Sequence, residues 1–305
     1  MVMMVLTLSL LALMTLCMLF GSVDIDAKSV ADILLGRGSD NTAWEVIVLQ
    51  SRLPMVIVAM LAGAALSVSG LLLQTTFNNP LAGPSILGVS SGAGLGVAVV
   101  MLAMGGTIGG MAGEATSGYV ATLIGALAGS GAVLALLMLF SVVLHSSAML
   151  LILGILVSYL TSSVVSLLNS VASEDGVRNY VAWGFGNFSS VSVEQLPLFA
   201  GVTVVALAAA MLMIKPLNAL LLGTRYAENL GINTRLTRNV LLLVTGVLTA
   251  VVTAYCGPIG FVGLVVPHIA RLALNTSDHA RLLPATLLTG ADVTLLCTLI
   301  SVTNE

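Results

Sequence analysis

An apolar run of about 20 residues matches the length of a helix that crosses a bilayer. This sequence carries about nine such windows, near 1–20, 46–72, 85–104, 118–140, 149–171, 194–214, 239–256, 258–274 and 283–303. In hydrocarbon no water is at hand to satisfy backbone N–H and C=O groups, so only helices and closed barrels span it. A barrel strand shows about ten residues of alternating polarity, whereas LLALMTLCMLF and LLLVTGVLTAVV are apolar on every side. With 58% hydrophobic and 8% charged residues in 305, there is no room for a water-soluble domain beside the spans. The expectation is an all-α polytopic membrane protein forming one transmembrane domain over residues 1–305.

The first window has no basic residue before it and no small-residue cleavage pattern after it, only GSVDIDAKSV, and reads as a retained helix. Cys17, Cys256 and Cys297 lack the spacing of a metal site or a disulfide framework and read as small apolar residues. With the N-terminus inside, the inner segments carry Lys215, Arg225, Arg235, Arg238, Arg271 and Arg281, against Lys28, Arg37, Arg52 and Arg178 outside. That bias sets the expected orientation, with a cytoplasmic N-terminus. Nine spans from that start leave Glu305 on the outer side, directly after an apolar helix.

A phosphate-binding loop needs a Gly-rich turn followed by Lys, and the two lysines, Lys28 and Lys215, follow Ala27 and Ile214. Chains of intramembrane acids or histidines, the relays of proton-driven carriers, are also missing, since Asp292 is the one acid clearly within a window. Energy is therefore expected from a partner. An ion-coupled secondary transporter and a membrane-embedded enzyme remain as alternatives; His145, His268 and His279 form no evident catalytic cluster. The longest inner segment, Lys215 to Asn239, is amphipathic. Thr224 is expected to cap a short helix with Leu222, Tyr226 and Leu230 on one face and Gly231 as its stop. Such a helix lies on lipid headgroups or meets a partner.

The stretch GPIGFVGLVVPHIARL places helix-weakening residues inside an apolar window. Spans in lipid associate through small residues and hydrogen bonds. Gly257 and Pro258 are expected to start the helix, Gly260 and Gly263 to groove one face, and Pro267 to kink it. His268 reads as a hydrogen-bonded helix-end residue, and Arg271 either snorkels to headgroups or braces the inner end of the span. Asn78, Asn79 and Pro80 read as a tight inner turn. Asp292 is expected to face the bundle, protonated or hydrogen-bonded.

Four blocks in order carry a resemblance: Arg52 to Gly96, LGTRYAENLGIN, GPIGFVGLVVPHIARL, and the Leu-Pro-Ala-Thr with Gly-Ala beyond it. Together, over roughly residues 45 to 291, the chain resembles the permease subunits of iron-chelate and cobalamin ABC importers. The resemblance implies ten helices, of which nine are visible here, and an inverted repeat of five. It implies a homodimer in a bacterial plasma membrane, two cytoplasmic ATPase subunits that bind the ATP, and an extracytoplasmic binding protein. No cofactor or metal is expected in this chain, and no nucleic acid among its partners. The implied cargo is a metal chelate: ferric siderophore first, haem or cobalamin next.

Residue by residue, the resemblance implies ATPase coupling through Thr224, Arg225, Tyr226, Glu228, Leu230, Gly231 and Asn233. It places Ser146 and Ser147 at a cytoplasmic gate, though such residues also cap helices. Arg52 matches the first arginine of the family's Arg-Leu-Pro-Arg, which meets acidic residues of the binding protein; the second arginine is Met55 here, and Arg52 reads equally as a headgroup anchor. Glu305 matches the acidic residue before the family's tenth helix, which the chain as given lacks.

Overall fold

The computed structural model describes residues 1–38, 41–103, 115–144 and 146–303. His145 and Glu305, both weighed above, lie outside them. In chain order the helices are α1 (Val2–Leu19), α2 (Ala27–Leu34), α3 (Thr42–Val46), α4 (Leu53–Thr76), α5 (Val89–Ala98), α6 (Ala115–Val143) and α7 (Ser147–Val171). They continue with α8 (Glu174–Gly184), α9 (Leu196–Leu212), α10 (Ile214–Leu220), α11 (Thr224–Asn229), α12 (Thr234–Cys256), α13 (Val262–Leu274) and α14 (His279–Thr303). A π-helical stretch, Ile47–Arg52, joins α3 to α4 without a break, and another, Val99–Ala103, prolongs α5.

Every apolar window contains a helix, but length and composition qualify six of them to cross a membrane among the described residues. A seventh arises if α9 and α10, bent by 52° at their junction, form one span. The helix 89–103 and α13 are shorter.

Burial separates inner from outer helices. In the most apolar window of the α3–α4 helix 83% is buried, and in α12 78%, against 11% in α1 and 17% in α7. The inner pair packs with α9 around Leu66, Leu71, Phe199 and Leu248, and the Phe199 and Tyr255 rings meet edge to face at 5.4 Å. Since lipid tails are as apolar as these side chains, the seams depend on close backbone approach. A Cβ on Gly63 would lie 2.2 Å from the carbonyl oxygen of Gly290, so α4 and α14 touch through bare backbone. Ser67 Oγ donates to the Thr286 carbonyl at 3.0 Å and Thr294 Oγ1 to that of Ala59 at 2.7 Å, pinning the same seam. The α5–α6 seam repeats the device. Gly92 and Gly96 face Gly129 and Gly125, where an added Cβ would come within 2.0 Å of Gly92 O or 1.9 Å of Gly125 O.

The run after α12 departs from expectation. Gly257 and Pro258 do not start the helix: residues 257–260 carry no helix and α13 begins at Val262. Gly257 adopts φ 76°, and a Cβ there would sit 2.6 Å from the Trp183 carbonyl oxygen, so the position ends α12 against the turn after α8. Gly260 lies outside the helix with no atom near its missing Cβ, so it grooves no face. Gly263 does pack closely, against Pro84 and the Leu66 carbonyl. Phe261 turns the chain into α13 with φ 64°, its 79% exposed ring pointing away from the bundle.

Pro267 sits inside α13 and is buried. It denies a donor to the carbonyl four residues back, that of Gly263, and this carbonyl faces Gly70 of α4. One residue on, the Leu264 carbonyl accepts from Gln74 Nε2 at 3.2 Å. Protein, as expected, surrounds the freed backbone.

A short helix not anticipated from the sequence, α2, lies between the first two spans. Asp26 caps it by accepting from the Ser29 amide at 3.0 Å, and the Ser29 side chain first, with this amide second, holds the Asp26 carboxyl below its ordinary pKa. Val30 and Ile33 turn inward beside Cys17 and Val48.

Candidate functional site

The loops divide between two ends. At one, hydrogen bonds join the turn after α4, the end of α6, the segment from α10 to α12 and the start of α14. This end holds Lys215, Arg225, Arg235, Arg238 and Arg281, and Arg271 lies on the last turn of α13 leading to it. Arg238 donates to the carbonyls of Ser141 at 2.7 Å and Leu144 at 3.2 Å, and Arg235 to that of Val142. Two cations of α12 thus close the carbonyl end of α6, whose partial negative charge favours them. Across the same end, His268 Nε2 donates to the Pro80 carbonyl at 3.0 Å. Asn79 folds its own turn by accepting from Leu81 N at 2.9 Å.

From α9 the chain bends into α10, whose Leu217 is fully buried, then reverses at Gly223 (φ 99°) into α11. Thr224 is not the cap: Gly223 occupies that position and no side chain caps the helix. At its far end Ile232 N bonds to Ala227 O at 3.1 Å and Gly231 N to Glu228 O at 2.9 Å, with Gly231 at φ 82°. This is the glycine stop read from the sequence. Nothing lies within 4 Å of a Cβ on Gly231, so only the backbone conformation resists a side chain there. Gly231→Ala should lower stability by about 1 kcal/mol in a thermal melt, and Gly231→Asn by less.

The seven residues expected in this segment divide into two groups. Glu228 accepts from Thr234 Oγ1 at 2.7 Å and Asn233 caps α12 through Leu236 N at 2.9 Å, so these two and Gly231 shape the loop. Thr224, Arg225, Tyr226 and Leu230 are exposed. Ala227 alone of α11 is buried, while Leu222, Tyr226 and Leu230 stand 62%, 52% and 58% exposed. The apolar face formed by α11 with its flanking residues Leu222 and Leu230 therefore points away from the bundle.

Ser146 and Ser147 open α7 at this end. Ser146 is exposed and makes no side-chain capping bond. Further along α7, Ser158, Thr161, Ser163 and Ser166 donate to carbonyls of their own helix, so the hydroxyls need no polar surroundings. A groove of about 510 Å³ runs between α5, α7 and α8, lined by Ser90, Ser91, Thr161, Ser162 and Tyr180.

At the opposite end the Arg52 side chain turns back onto α1. It is 4% exposed and donates to the carbonyls of Met18 at 2.8 Å, Leu19 at 2.9 Å and Val23. The guanidinium fork closes the last turn of α1, and Gly21 leaves it room, since a Cβ there would lie 2.5 Å from Nη2. Asp292 is hydrogen-bonded as expected, its Oδ2 accepting from Ser9 Oγ of α1 at 2.6 Å.

The FecCD transport family profile matches residues 9–304. The hemin transport system permease protein HmuU of Yersinia pestis is 33% identical over 287 residues, covering 94% of this chain and 84% of its own length. The vitamin B12 import system permease protein BtuC of Salmonella typhi is 36% identical over 262 residues, covering 84% of this chain and 76% of its own. A solved inward-facing structure assigned to the metal-chelate type of ABC transporter superposes with a TM-score of 0.84 at 28% identity, covering 99% of this chain and 91% of that one. With its profile spanning nearly the whole sequence and with relatives of that extent, the chain belongs to the FecCD transport family.

Proposed function

We propose that this chain is the membrane-spanning subunit of an ATP-driven importer for a metal chelate, with ferric siderophore as cargo and haem or cobalamin as the next candidates. In this reading nine helices cross a bacterial plasma membrane, the basic end and the N-terminus face the cytoplasm, and two copies pair around a central route. Two ATPase subunits bind the ATP and an extracytoplasmic binding protein delivers the chelate. Family membership supports the transport class, and the relatives named for hemin and vitamin B12 support a large chelated cargo.

One observation carries the assignment: the outward apolar face of α11 at the cationic end. Three large apolar side chains held out by a closed glycine stop suit a cleft in a partner better than water. Seated in an ATPase cleft, α11 would move as nucleotide closes that partner. Ser146 and Ser147, at the same end, would narrow the route there.

The test is reconstitution into vesicles with the cognate ATPase and binding protein, offering a ferric hydroxamate chelate, haemin and cyanocobalamin separately. The expected result is ATP-dependent accumulation of one of them. Tyr226→Ala with Leu230→Ala should cut it at least about tenfold and reduce ATPase co-purification, since buried aromatic anchors carry most of an interface's energy. Uptake driven by an ion gradient through the chain alone would overturn the proposal.

A further inference from the structure

Displacement of α11 passes first to the helices it packs on most, α10 and α12. The first route is polar and specific. Helix α10 packs on α4 and α14, and among the described residues its side-chain hydrogen bonds all come from Asn218. Asn218 Oδ1 accepts from the His279 backbone N at 2.8 Å and stands 2.9 Å from His279 Nδ1, while Nδ2 donates to Asp278 Oδ1 at 2.7 Å. The carboxylate and the backbone N–H fix which way the amide points, so Nδ1 must carry the proton it shares with Oδ1. In the neutral ring Nε2 is then an acceptor, and Thr75 Oγ1, on the last turn of α4, lies 2.9 Å from it. The same hydroxyl is 3.0 Å from the Leu71 carbonyl. With one proton to give, Thr75 either bonds the ring or returns to its own helix.

His279 is 1% exposed. A buried side chain of α14 whose ring bonds both α10 and α4, with one partner holding an alternative acceptor, is more than packing requires. We infer that Asn218, His279 and Thr75 form the joint through which movement of α10 and α11 reaches α4 and α14, an inference that rests on the coupling role proposed for α11. Asn218 and His279 are positioning residues: they touch neither nucleotide nor cargo. When α10 follows α11, Asn218 draws the imidazole, and Thr75 exchanges its bond to Nε2 for the one to Leu71, freeing the ends of α4 and α14 to shift.

The experiment measures transport and ATP hydrolysis together in the reconstituted complex, with the same three probes. Asn218→Ala should lower cargo moved per ATP hydrolysed about tenfold while hydrolysis and subunit assembly stay near wild type, the size of effect carried by a coupling network. Asn218→Asp keeps both bonds to His279 but sets a carboxylate against Asp278. Adding Asp278→Asn restores the donor in reversed sense at the expense of the Ala280 N–H bond that Asp278 Oδ1 also accepts at 3.0 Å, so the doubly exchanged protein should recover part of the wild-type ratio. If the ratio is unchanged in Asn218→Ala, or the exchange pair fails to recover although it assembles, the joint is wrong. If transport and hydrolysis fall in parallel, the cluster is merely structural. A wild-type complex that hydrolyses ATP yet moves none of the probes overturns the importer reading itself, and the joint with it.

Discussion

Gly70→Ala should lower the stability of the folded chain by about 3 kcal/mol or more, at the upper end of what an added methyl does in a packed interior. The new Cβ would lie 1.6 Å from the carbonyl oxygen of Gly263 and 2.5 Å from its carbon, both backbone atoms with no rotamer to escape into. Helix α13 would have to withdraw from α4. The displaced carbonyl is the one Pro267 deprives of its helical donor, so withdrawal also exposes an unpaired acceptor to the apolar interior. Gly201→Ala in α9 is the control: no atom lies within 4 Å of that Cβ, and alanine should stabilise the helix by up to about 1 kcal/mol. Thermal unfolding of the two purified variants in detergent reads the contrast. Equal melting temperatures would mean that α4 and α13 are not in backbone contact.

Arg52→Met should lower stability by about 3 kcal/mol, because it leaves the carbonyls of Met18, Leu19 and Val23 without their shared buried donor. Protease cutting in the segment after α1 should rise with it. Arg52→Lys should recover only part of the loss, since one ammonium lacks the guanidinium fork. Affinity for the proposed binding protein should change by less than about twofold in the Arg52→Met protein that remains folded, the guanidinium being occupied by carbonyls of its own chain. A loss that is large, salt-dependent and without any fall in melting temperature would return Arg52 to a docking role.

The helical windows were legible because a bilayer leaves the backbone so few options. The stop at Gly231 was legible too, since a positive φ after a short amphipathic turn is what glycine is for. Arg52 was not: a cation beside an outer loop reads the same whether it points outward or back onto a neighbouring helix. Gly257-Pro258 has the local signature of a helix start, and the nearby Trp183 carbonyl that makes it a break belongs to residues over 70 positions away. The spacings of Gly92 with Gly96 and of Gly125 with Gly129 were visible signals of close packing. Which glycines face which is set by the fold alone. The joint at Asn218 was hidden for the same reason, since its three helices are far apart in the chain.

Helix α13 has 13 residues and is therefore only about 20 Å long, against a hydrocarbon thickness of about 30 Å. In the nine-span reading proposed above, the non-helical run before it makes up the difference among other parts of the protein. Such a segment has no means of partitioning into lipid by itself during synthesis. Its entry must wait for α12 to come in as the other arm of a hairpin, and its final seat depends on α4 and the turn after α8 having arrived already. The order of the genetic message, which places those elements earlier, thus doubles as an assembly schedule for the membrane.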